Sequence, residues 1–72
     1  MTLIEWEPTE TGAYDAFAGL YKLYTEPNGY WDVRHDGGCI ARGVMPDQDA
    51  GKKAAVLIYE THQLLDSSRT RR

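Results

Sequence analysis

The stretch YTEPNGYWDVRHDGGCIARG, residues 24–43, decides the fold, because two turn signals bracket one short strand-like run. In EPNG, Pro27 presets the first turn position, Asn28 tolerates the second and Gly29 supplies a positive φ, the pattern of a type I turn closed by a glycine bulge. In HDGG, Asp36 and Gly37 suit a two-residue hairpin loop. The first turn pairs Thr25 with Trp31, Leu23 with Val33 and Tyr21 with His35, so the apolar parity of one strand meets that of the next. The second pairs His35 with Gly38, Val33 with Ile40 and Trp31 with Arg42. One sheet face is then Tyr21, Leu23, Trp31, Val33 and Ile40, with Val44 at its end. The other shows Leu20, Lys22, Tyr24, Tyr30, Asp32, Arg34, Cys39, Ala41 and Gly43.

Upstream, TLIEWE alternates Ile4 and Trp6 against Glu5 and Glu7, a short strand with one buried face that PTETG ends. From Ala13 to Thr25, Phe17, Gly19, Tyr21, Leu23 and Thr25 fall in step, giving one long strand or two pieces joined by a bend at Gly19. Downstream, MPDQDAGKKAAVLIYETHQLLD is the one helical pattern, with Asp47 as N-cap and Asp49 in the first turn, where the helix dipole favours an anion. Ala50, Ala54, Leu57, Ile58, Thr61, Leu64 and Leu65 recur at helical spacing and predict the stripe that covers Trp31, Val33 and Ile40. The expectation is an α+β domain, a three- to four-stranded antiparallel sheet with one C-terminal helix packed on one face. Residues 1–66 form that single domain, and residues 67–72, SSRTRR without Asp66, read as a flexible basic tail.

At 72 residues there is room for one core only, which makes stability modest and self-association as a homodimer an expectation. The longest apolar run, AAVLIY, is far short of the roughly 20 residues of a membrane span, and the N-terminus lacks the layout of a signal peptide. A single cysteine precludes an internal disulfide; together these features predict a cytoplasmic protein with no membrane contact. The net charge is -3, unevenly placed: residues 1–66 carry five basic against eleven acidic side chains, and Arg69, Arg71 and Arg72 make the end basic.

Catalysis finds little support. Cys39 and His35 suggest a nucleophile or a metal ligand, but the register puts them on opposite sheet faces, and no second cysteine completes a ligand set. No glycine loop has phosphate-cradling spacing, and one sheet with one helix offers little concavity for pairing acids and bases. The expectation is a non-enzyme without metal or cofactor. The exposed sheet face is the better candidate, because Tyr24 and Tyr30 present rigid amphipathic surface beside Lys22, Asp32 and Arg34. The acidic N-terminal segment, Glu5, Glu7 and Glu10, reads either as a solvated edge or as a second contact that steers a basic partner.

Two resemblances extend this reading. YWDVRHDGGCIARG leading to AGKKAAVLIY, within residues 19–60, resembles the plant AP2-type and integrase N-terminal DNA-binding domains, which read DNA with the sheet face through arginines and tryptophans. Carried over, that match supplies Arg34 and Lys22, while Trp31 and Arg42 fall on the helix-covered side. Over residues 4–60, the early Trp6 with YDAFAGLYKLY, GYWDV, DGGCIARG and DQDAGKKAA looks like small orphan proteins of bacteriophages and prophages, some of them anti-CRISPR or other host-takeover inhibitors. This resemblance implies a protein of the bacterial host cytoplasm that binds and inhibits a host protein or nucleoprotein defence complex by occluding a surface. The first implies a small DNA- or RNA-binding protein using the sheet face, with weak nucleic-acid contact through the basic tail.

Overall fold

The computed structural model describes residues 4–70, with side chains described through residue 65. Five strands form one antiparallel meander in which each pairs with its sequence neighbour: β1 (Glu7–Pro8), β2 (Tyr14–Ala18), β3 (Tyr21–Thr25), β4 (Tyr30–His35) and β5 (Gly38–Val44). One helix follows, α1 (Gln48–Thr70), and lies across β3, β4 and β5 on one face of the sheet. Among the described residues, no helix is long and apolar enough to cross a membrane.

The two turns of residues 24–43 form as their chemistry dictates. Gly29 donates its amide to the Glu26 carbonyl at 2.9 Å and has φ +96°, closing the β3–β4 loop. Only glycine fits there, since a Cβ would lie 1.9 Å from the Met45 carbonyl oxygen. Asp36 and Gly37 both have positive φ, 53° and 85°, the backbone of a type I′ hairpin turn. The β3–β4 register is Tyr21 with His35, Leu23 with Val33 and Thr25 with Trp31, as the turn length requires.

Four features differ from the sequence expectation. The sheet has five strands because residues 13–25 fold into a hairpin at Gly19–Leu20, pairing Ala18 with Tyr21 and Phe17 with Lys22. That hairpin inverts the parity of β2, so Ala16 is buried while Phe17 is 67% exposed on the open face. Second, a β-bulge between Val33 and Arg34 accommodates Ile40 as an extra residue: Val33 faces Ala41, Trp31 faces Gly43 and Asp32 faces Arg42. Both Ile40 and Ala41 then pack on the core, Arg42 joins the open face, and Val44, 72% exposed, leaves the core side. The Trp31 indole lies over Gly43, where a Cβ would come within 3.1 Å of Nε1.

Third, α1 is rotated relative to the predicted stripe. Asp47 caps it, accepting from the Ala50 amide at 2.8 Å, but the buried residues are Gly51, Ala55 and Tyr59, while Leu57, Leu64 and Leu65 stand exposed. Small residues select this face: a Cβ on Gly51 would meet the Gly29 carbonyl oxygen at 3.1 Å, so the helix approaches the β3–β4 turn along its smallest side. Fourth, the helical backbone continues to Thr70, past the tail boundary expected at Ser67; Arg71 and Arg72 lie outside the described residues. At the other end, the ladder of the N-terminal segment is only Glu7–Pro8, with proline tolerated on this edge strand. Ile4 and Trp6 pack against the core from outside that ladder.

The core is Ala16, Tyr21, Leu23, Trp31, Val33, Ala55 and Tyr59, between α1 and the central strands. Leu23 and Val33 have no exposure at all. Thr25 Oγ1 and Trp31 Nε1 are buried there without a hydrogen-bond partner.

Candidate binding face

The face of the sheet away from α1 collects the residues that the turn-set register places there. Directly opposed partners share a face, so Glu7, Asp15, Tyr24, Asp32 and Arg42 form one row across all five strands. The neighbouring row is Phe17, Lys22, Arg34 and Cys39.

At the centre, Lys22, Tyr24, Asp32 and Arg34 line one shallow cavity of about 210 Å³. Asp32 forms its floor and is 5% exposed. Its Oδ2 accepts from the Tyr30 hydroxyl at 2.9 Å, and Oδ1 lies 3.9 Å from Arg34 Nε. A buried carboxylate needs such partners, because an unpaired charge costs several kcal/mol to desolvate. Asp32 therefore organises the face from beneath, while Arg34, its side chain 56% exposed, presents a guanidinium to solvent.

Tyr24 and Tyr30 meet edge to face, ring centroids 6.3 Å apart, and each phenol is fixed by a carboxylate. Tyr24 donates to Glu26 Oε2 at 3.0 Å. Burial, then the Glu26 hydrogen bond, pushes the Tyr24 phenol above its ordinary pKa; for Tyr30 the hydrogen bond to Asp32 leads and burial adds to it. Both effects favour the neutral phenol, so the pair stays uncharged at neutral pH, with each hydroxyl proton committed to its carboxylate. Lys22 Nζ sits 5.7 Å from the centre of the Phe17 ring, which orients it across the β2–β3 hairpin.

Of the residues read from the sequence as contacts, Lys22, Tyr24, Tyr30, Asp32 and Arg34 converge. Glu5, Glu7 and Glu10 are exposed at the β1 edge, apart from that cavity, and Glu7 faces Asp15. Arg42, Val44, Asp15 and Phe17 reach the face without being read there from the sequence. A regular ladder puts Arg42 and Val44 on the helix side, and the bulge moves both. Phe17 reads as core because it falls in step with Tyr21 and Leu23 whether residues 13–25 are one strand or two pieces, and the Gly19–Leu20 hairpin reverses it.

A second cluster forms at the open end between sheet and helix. Tyr21, His35 and His62 pack ring on ring, the histidine centroids 5.0 Å apart, and the Tyr21 hydroxyl lies 2.7 Å from His62 Nδ1. A cavity of about 350 Å³ adjoins it, lined by Leu20, Tyr59 and Gln63 among others. The sequence treats His62 as a lone helical histidine; only the helix rotation brings it to His35. These contacts tie α1 to β3 and β4, and among the described residues no three potential metal ligands converge. Cys39 is an exposed free thiol opposite Arg34.

Comparison with known proteins finds no matching family model, no matching curated protein and no matching solved structure. The functional reading therefore rests on the chemistry of the face.

Proposed function

We propose that this is a non-catalytic binding protein that uses its open sheet face to occlude a surface of a larger partner. The observation that carries the reading is the convergence of Lys22, Tyr24, Asp32 and Arg34 on one solvent-facing cavity, with Tyr30 locked beside it by Asp32. Tyrosine and arginine carry much of the energy of protein interfaces, because both offer large area and directional polar groups, tyrosine at small entropic cost. A carboxylate held under the face preorganises them. The likeness to small phage inhibitors makes a host protein or nucleoprotein defence complex of the bacterial cytoplasm the target class to screen first.

The test is affinity capture from a bacterial lysate with the full chain. A specific partner is expected, and its recovery drops with Arg34→Glu or Tyr24→Ala while the circular dichroism spectrum is unchanged. Charge reversal at Asp32 is a poor probe, since its burial ties it to folding. Recovery of no partner would sink the proposal.

A second reading, a DNA- or RNA-binding protein using the same face, gains from the bulge. Arg42 adds a third cation to Lys22 and Arg34 across three adjacent strands. It requires binding that weakens steeply as salt rises. A gel shift absent at low ionic strength removes it.

A further inference from the structure

The charges of the open face are segregated in a way that costs stability. Glu7 and Asp15 are direct cross-strand partners on β1 and β2, and Lys22 and Arg34 are direct cross-strand partners on β3 and β4. Like charges directly opposed across a ladder are destabilising, and opposite charges there are stabilising. The same four side chains interleaved would give two favourable pairs. Asp32 softens the basic pair through its 3.9 Å contact with Arg34, but Arg42 stands opposite Asp32 and leaves three cations around one carboxylate. Such segregation is unfavourable in the free protein and becomes favourable against a surface with the reciprocal pattern.

The geometry points to the hollow between Lys22 and Arg34 as the seat of a carboxylate side chain from a partner protein, with a basic side chain of the same partner lying on Glu7 and Asp15. This deepens the binding-face reading and rests on it. Arg34 offers a planar fork suited to a carboxylate, Lys22 a point charge held over Phe17, Tyr24 a wall and Asp32 the floor, so the seat sets two cations against one resident carboxylate. The acidic pair lies two strands away and one row along, about 12 Å at the spacings of adjacent strands and of same-face residues. An extended partner segment covers that span in about three to four residues. This second pole disfavours a nucleic acid, whose continuous phosphates gain at Lys22 and Arg34 but are repelled at Glu7 and Asp15 at little more than a Debye length of about 10 Å.

The test uses the full chain as bait for a displayed library of random 12-residue peptides, with Lys22→Glu as the contrast. This substitution makes an opposite-charge pair with Arg34, so the variant is expected to melt no lower than the wild type. Selected peptides are expected to carry Asp or Glu about three residues from Lys or Arg, with enrichment at least tenfold lower on Lys22→Glu. If that variant melts lower, Arg34→Gln is the contrast. No enrichment, enrichment without an acidic residue, or enrichment equal on the variant overturns the inference. So does a 12-nucleotide oligothymidylate whose fluorescence anisotropy reports binding that Lys22→Glu abolishes, if no acidic peptide is selected. Lysate capture that is lost with Tyr24→Ala but survives Lys22→Glu leaves the face as the binding surface and removes the carboxylate seat.

Discussion

The two faces of the sheet are built from alternate residues of the same strands, yet their chemistry diverges. On the helix side, Leu23, Thr25, Trp31 and Val33 are buried against Gly51, Ala55 and Tyr59, and the interaction is close packing. On the open side, Lys22, Tyr24, Tyr30 and Arg34 alternate with them and remain in contact with water, held by Asp32 and Glu26. Stability should therefore reside on one face and recognition on the other, which makes the two separable by mutation.

The largest break is expected on the packed side. Leu23→Ala removes a fully buried side chain at a cost of about 3 kcal/mol, a large share of what so small a domain has. A urea melt should show it largely unfolded or with a sharply lowered midpoint. Gly29→Ala places a Cβ against the Met45 carbonyl at a positive φ and should lower stability by about 2 kcal/mol, again read from the urea midpoint. On the open side, Arg34→Gln is expected to lower stability by no more than about 1 kcal/mol, since its contact with Asp32 is long and Asp32 keeps the Tyr30 hydrogen bond. The same change should weaken capture of a partner by about tenfold or more. Equal loss of folding and binding would erase the division between the faces.

Smaller effects sharpen it. Thr25→Val should raise stability by up to about 1 kcal/mol, because the Oγ1 it removes is buried without a hydrogen bond. Ultraviolet titration should find Tyr24 and Tyr30 ionising above the ordinary tyrosine range. Because the folded values are raised, their stabilising effect is present in full below the unfolded tyrosine pKa of about 10 and is lost as pH climbs through the folded values. Tyr30→Phe removes one of the two delayed transitions and, by stripping buried Asp32 of its hydrogen bond, lowers stability at neutral pH by about 1–2 kcal/mol.

The central register was legible because turn chemistry fixes parity. The loop closed by Gly29 determines which residues of β3 and β4 face each other, so the convergence of Lys22, Tyr24, Asp32 and Arg34 follows from one short loop. The misses in the sheet share a cause, since each depends on a single-residue change of phase that hydrophobic alternation does not encode. A hairpin at Gly19–Leu20 reversed Phe17, and the bulge at Ile40 reversed Arg42. The helix face escaped for another reason: Gly51 and Ala55 are chosen for closeness of approach, whereas a hydrophobic count favours the leucines that remain exposed. His35 and His62 met as a result of that rotation.

The bulge in β5 has a bearing on how this protein tolerates change over generations. In a chain lacking Ile40, Val33 would pair with Ala41 and Asp32 with Arg42 through an uninterrupted ladder, the same partners as now. The strand thus absorbs one inserted codon as a local bend directed into the core, and the far half of β5 keeps its phase. Length variation at this point is uncoupled from the pattern that the far half of β5 displays to the outside.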